Sequence, residues 1–161
     1  MATYEPSPNA AVRPAEILRK DHESIESLFG EYDRSVGESP EDRKRIFGQI
    51  MREIEVHYDL VEEVVVPRLE GAGKDPLVAD WRSLRTDGSD ALRRLGDLEP
   101  DDPAFERALA LLRHHARAHA EIEERRVLPA LAGRLTEREA DDLATLLQAG
   151  KARRNEGVRE A

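Results

Sequence analysis

Apolar residues in this chain recur in alternating steps of three and four, and that spacing admits helices and little else. Leu18, His22, Ile25, Phe29, Tyr32 and Val36 form one stripe, and Phe47, Ile50, Ile54, His57, Val61 and Val64 a second. Leu77, Trp81, Leu84, Gly88, Ala91, Leu95 and Leu98 make a third, and Leu109, Leu112, Ala116, His119, Glu123 and Val127 a fourth. No segment alternates with the period of two that a strand requires. A stripe of this width must be covered, and four of them cover one another in an antiparallel bundle.

Prolines and glycines set the boundaries. Ser39-Pro40, Asp75-Pro76 and Asp102-Pro103 each put a capping oxygen before a proline at the first helical position. Thr136 and Glu139 have the spacing of a capping box. Breaks at Gly37, Gly71-Ala72-Gly73, Gly96 to Pro100 and Gly133 give helices near 14–36, 40–69, 76–98, 103–131 and 137–149. The reading is all-α: an up-down four-helix bundle with a short fifth helix packed on its end. Residues 1–13, with Pro6, Pro8 and Asn9, read as a disordered lead-in, and residues 150–161 as a charged tail that frays.

Composition narrows the function. The 161 residues carry a net charge of −9, which opposes nucleic-acid phosphates and anionic bilayers as partners. The absence of cysteine excludes disulfides, thiolate metal sites and cysteine nucleophiles. No apolar run approaches the length of a membrane span, and no secretory signal opens the chain, so the expected compartment is the cytoplasm.

The second and fourth helices are copies of one another. A shift of 62 places His57 on His119, Glu62 on Glu124, Pro67 on Pro129, Leu69 on Leu131 and Gly71 on Gly133. Val61 falls on Glu123. The first and third helices align at a shift of 66, with Asp21 on Asp87 and Phe29 on Leu95, but His22 on Gly88. The chain therefore reads as two helical hairpins descended from one. Each ancestral hairpin had a His on its first helix and His-x-x-x-Glu on its second; one lost the Glu and the other the lone His.

Three inward imidazoles need partners, because a buried nitrogen left unpaired costs about 1–3 kcal/mol. His119 and Glu123 are spaced i, i+4, on one helix face. His22, His57, His119 and Glu123 then offer three nitrogens and one carboxylate, a donor set suited to non-haem iron and enough for one ion. Two ions need bridging carboxylates from more than one helix, and Val61 stands where the second would be. Glu26, Glu53 and Glu62 are substitute carboxylates; Glu62 lies one position off the stripe and needs a π-bulge to turn inward. His115 is a fourth nitrogen or an orienting partner, His114 faces solvent, and Glu121 and Glu124 belong to a solvated face. Gly88 either records drift or leaves room for water or a small ligand. Val61→Glu with Gly88→His is expected to raise metal stoichiometry toward two.

The segments LRKDHESIESLF around His22, HYDLVEEVVVPRL from His57 and HAEIEERRVLPAL from His119 resemble the hemerythrin-like, or HHE cation-binding, family over roughly residues 15–132. The resemblance implies an up-down bundle with an oxo- or hydroxo-bridged di-iron centre. It also implies small ligands such as oxygen, nitric oxide or peroxide. His22, His57, His119 and Glu123 fall on the family's ligand positions; Val61 and Gly88 depart from them. Three readings compete: a bundle that holds one metal, by preference iron; a metal-free bundle that serves as an interaction or structural module; and an active di-iron catalase-like or oxygen-carrying protein, which needs a substitute carboxylate such as Glu53, Glu26 or Glu62. Whether the chain is an enzyme is left open.

Overall fold

In the computed structural model, which describes residues 12–71 and 75–159, the proline-linked caps act as the sequence implies. The Ser39 hydroxyl accepts the Asp42 amide (3.2 Å) and starts α2 at Pro40. The Asp75 carboxylate accepts the Leu77 amide (2.9 Å) and starts α3, Pro76–Gly96. Asp102 instead bonds the Ala104 amide (2.7 Å) in a turn, so α4 begins two residues late, at Phe105. Helix α1 spans Val12–Arg34. The chain then turns through Gly37, whose φ of +95° favours glycine, and this turn leaves Val36 75% exposed rather than on the first stripe. Residues 1–11 of the expected lead-in lie outside the described residues.

Helices α2 and α4 each contain a π-helical turn. Helix α2 runs Pro40–Leu60, widens over Val61–Val65 and resumes at Val66–Leu69. Helix α4 runs Phe105–Ile122, widens over Glu123–Val127 and resumes at Leu128–Ala132. The two π segments are 62 residues apart, so the repeat extends to the backbone. Both precede a proline, Pro67 or Pro129, whose ring crowds the preceding turn and cannot donate to it; a wider turn relieves that conflict.

The fifth helix corrects the sequence reading. Helix α5 is not short: it spans Glu137–Arg159, ten residues past the expected end, and it packs along α1 and α2 rather than on the end of the bundle. The Thr136–Glu139 capping box starts it. Leu143 and Leu147 are fully buried in the core beside Leu18 and Leu60. Gly150 lies so close to Leu60 that a Cβ there would sit 2.4 Å from Leu60 Cδ1. Lys151 then bonds Asp21, and Arg154 pairs with Glu63 (2.5 Å). Lys151 and Arg154 thus tie this charged stretch to the first hairpin, an attachment that local periodicity does not encode.

The core has two apolar parts. One contains Leu18, Val61, Val65, Trp81 and Leu128, and the other Ile25, Phe29, Ile54, Leu95 and Leu112. Between these two sets along the helices lie His22, His57, Gly88 and His119. No helix among the described residues is long and apolar enough to cross a membrane.

Candidate metal centre

The polar layer converges on Glu123, which is fully buried. Its Oε2 is 2.8 Å from His22 Nε2 and 2.9 Å from His57 Nε2. One donor atom each from His22, His57 and Glu123 lies within 4.8 Å of the others, the spread of ligands around one ion. Three helices supply them: α1, α2 and the π turn of α4. The other oxygen, Oε1, accepts the Trp81 indole N–H (2.7 Å) and lies 3.2 Å from His119 Nδ1.

Two of the three imidazoles are oriented from behind. Asp21 Oδ2 is 3.2 Å from His57 Nδ1, and Glu124 Oε1 is 2.7 Å from His22 Nδ1. A carboxylate on the outer nitrogen fixes the ring and directs Nε2 inward, the usual support of a metal-bound histidine. Glu124 is thus not simply a solvated residue: it touches the centre through His22. Asp21 also takes the Lys151 ammonium, so α5 reaches the centre through Lys151, Asp21 and His57.

His119 differs. It is buried, but it is not one of the three converged donors, and its Nε2 has no hydrogen-bond partner among the described residues. Burial lowers its pKa to about 4, with Glu123 opposing and the His57 and His22 charges assisting. At neutral pH it is therefore an uncharged imidazole with an unused nitrogen. His57 goes the other way. Burial works against its protonation, but the Glu123 charge and hydrogen bonds to Asp21 and Glu123 outweigh burial and raise its pKa. Burial would likewise raise Glu123, yet His57, His119 and His22 hold its carboxyl well below the usual carboxylate range. Without an ion, the centre is a buried imidazolium–carboxylate pair.

The positions of Val61 and Gly88 are closed to a second ligand set. Val61 is fully buried among apolar side chains. Gly88 leaves no room for water or a ligand, because the Tyr58 phenol occupies it: a Cβ on Gly88 would lie 2.3 Å from Tyr58 Oη and 2.9 Å from Cε2. The Tyr58 ring packs on His119 (centroids 4.3 Å apart), and its buried hydroxyl has no partner among the described residues. Gly88→His therefore cannot be accommodated unless Tyr58 is shortened, so the double change expected to restore a second ion needs a third. The substitute carboxylates are engaged elsewhere or stay out of the converged group. Glu62 bonds Arg82 and Arg85 even though a π turn is present, and Glu26 bonds Arg113 and Arg117. Glu53 and His115 are half-buried outside the converged group, and His114 is exposed.

The donors fit one ion. Three converge, and the buried Nε2 of His119, outside that group, has no partner among the described residues, at a cost of about 1–3 kcal/mol. They do not fit a two-ion set. Sequence reasoning placed Trp81 on a stripe, but its buried indole N–H required an acceptor, and Glu123 supplies it. Asp21 was visible only as one half of a repeat pair.

Several known proteins are similar to this chain. A protein of Nostoc sp. named DNA nickase is 23% identical over 138 residues, 86% of this chain but 39% of that protein. Uncharacterized proteins of Mycobacterium bovis and Mycobacterium tuberculosis are 29% identical over 118 residues, covering 71% of this chain and 70% of theirs. The chain thus spans well under half the length of the Nostoc relative. No solved structure matches it at a significant level. The family described as the hemerythrin HHE cation binding domain matches residues 13–153, a span that takes in all four bundle helices, the converged histidines and most of α5, and the chain belongs to that family.

Proposed function

We propose that this protein binds one metal ion, iron by preference, through His22, His57, His119 and Glu123. Its role would be to sense or handle iron, oxygen or reactive oxygen species in the cytoplasm. The observation that carries the reading is the meeting of His22 Nε2, His57 Nε2 and Glu123 Oε2, with both imidazoles steadied from behind by carboxylates. A bound iron ion would supply Lewis acidity and one-electron chemistry there. The protein's own residues do the rest. Asp21 and Glu124 hold the two rings in the tautomer that directs Nε2 inward. Trp81 pins Glu123 by its Oε1 and leaves Oε2 facing the imidazoles. Neutral His119 would offer its unused nitrogen. His57 would have to release its extra proton to hold a cation.

Diatomic ligands or peroxide are the partners this reading supports; nucleic acid and membrane are not. The nicking activity named for the Nostoc relative does not carry over to this reading, because the chain spans 39% of that protein and a net charge of −9 disfavours a phosphate backbone. The test is metal per chain after iron-supplemented expression, with His57→Ala and His119→Ala compared against the parent. An ion held by the parent and lost from the variants supports the reading; a value near zero in all three contradicts it.

A second reading is favoured by one observation: both Glu123 oxygens already have partners without an ion. The bundle would then be a metal-free interaction or structural module. It predicts a melting temperature unchanged by chelator, whereas the metal reading predicts a clear drop.

A further inference from the structure

A cavity of about 700 Å³ runs between α1 and α4, with α2 forming its floor. A water molecule needs about 30 Å³, whereas cavities of about 300–1,000 Å³ are the size that hold organic ligands. The space is therefore far larger than a diatomic or peroxide requires. At its inner end stand His22, His57, His119 and Tyr58. Two of these carry buried polar atoms with no partner among the described residues, His119 Nε2 and Tyr58 Oη. Ile25 and Ile54 make the walls apolar, and Gly30, Ala116 and Ala120 keep them open. From His22 to Arg34 is 12 residues of α1, about 18 Å at the helical rise.

On a protein of net charge −9 the rim carries three arginines, one of which, Arg113, also pairs with Asp33 (2.7 Å). Arg34, Arg113 and Arg117 line it against Glu23 and Glu26. Arg113 and Arg117 are tied to Glu26, at 2.5 Å each. Arg34 makes no ion pair among the described residues, and its guanidinium lies beside Gly30. An apolar slot whose outer end holds an exposed arginine, free of ion pairs among the described residues, suits an amphipathic anion.

We propose that this slot binds an aliphatic monocarboxylate of fatty-acid type, with its carboxylate on Arg34 and its alkyl chain laid along Ile25 and Ile54. Apolar burial along Ile25 and Ile54 supplies the affinity, and the charged hydrogen bond to Arg34 selects the acid. Binding of this kind goes beyond the metal reading and does not depend on an ion, so it is measured on chelator-treated, full-length protein. Trp81, the only tryptophan, stacks 5.1 Å from the His119 ring and reports occupancy of the inner end.

The experiment titrates dodecanoate and its neutral counterpart dodecanol, followed by calorimetry and Trp81 fluorescence. The acid is expected to bind saturably at one per chain, about tenfold tighter than the alcohol. Arg34→Ala removes that preference and leaves the alcohol unaffected. Ala116→Phe fills the slot from α4 and abolishes both. Ser27→Phe, at an exposed position on the α1 wall, does the same should Ala116→Phe perturb folding. The proposal is overturned by an absence of saturable binding, by equal affinity for acid and alcohol, by an acid affinity untouched in Arg34→Ala, or by binding that survives in the folded blocking variants. Because the titration uses metal-free protein, an absence of iron binding leaves these outcomes unchanged.

Discussion

The two hairpins of this bundle repeat one pattern, and each carries a different part of one polar centre. The first retains a lone histidine, His22, and an aspartate behind its second histidine, but has valine where the other has Glu123. The second retains Glu123, yet its lone-histidine position is Gly88, and Asp87, the counterpart of Asp21, faces solvent. In place of that aspartate, His119 has Glu123 on one nitrogen and nothing on the other. The vacated volume at Gly88 is filled from the first hairpin by Tyr58. A duplicated fold with two equivalent half-sites thus becomes a single asymmetric site, and the loss on one side is matched by packing from the other.

The largest effect should come from the residue both halves depend on. Glu123→Ala strands His22, His57 and the Trp81 indole together, and is expected to cost about 3–5 kcal/mol in chemical denaturation of the metal-free protein. An unchanged denaturation midpoint would show that the convergence on Glu123 does not hold the layer together. The paired aspartates test the asymmetry itself. Asp21→Asn should destabilise by about 1–3 kcal/mol, because it weakens bonds to His57 and Lys151, while Asp87→Asn should stay within about 0.5 kcal/mol. Equal effects would erase the distinction between the hairpins.

The glycine gives a sign test. In the parent, Gly88→Ala drives a Cβ into the Tyr58 phenol and should cost about 1–3 kcal/mol. In a Tyr58→Leu background the same change should stabilise by about 1 kcal/mol, since alanine is the better helix former. A double-mutant cycle in thermal unfolding reads the reversal directly, and additivity would refute the fit between the two residues.

The smallest effect lies on the surface between α1 and α4. The Arg117 hydrogen bond, opposed by partial burial and reinforced by Arg113, holds the Glu26 carboxyl down at about 2. A carboxylate lowered on folding contributes its stability above the ordinary value near 4.5 and loses it as the pH falls toward about 2. Glu26→Gln should melt below the parent at neutral pH, with the gap closing through that acidic window. A gap that stays constant with pH would mean the ion pair contributes nothing.

How much of this was legible in the sequence depends on how local each feature is. The bundle helices follow from stripes and caps that repeat within a few residues, and so do His22, His57, His119 and Glu123. The parts that escaped are long-range. Trp81, Asp21 and Lys151 act through partners 42, 36 and 130 residues away, and no local pattern marks such pairs. Tyr58 sits one position off its stripe, beside His57, so its inward turn toward Gly88 was hidden. The length of α5 was missed because its last turns are held by side-chain pairing with the first hairpin and not by an apolar stripe of their own. The π turns were half visible: one was invoked for Glu62, and one is present, but it leaves Glu62 on Arg82 and Arg85.

The central claim is that two incomplete half-sites add up to one ion. Native mass spectrometry of the iron-loaded full-length chain tests it most directly, since it counts ions on each folded molecule. The account predicts a dominant species carrying one iron, reduced to the metal-free mass by Glu123→Ala. A dominant species with two irons, or with none, would contradict it.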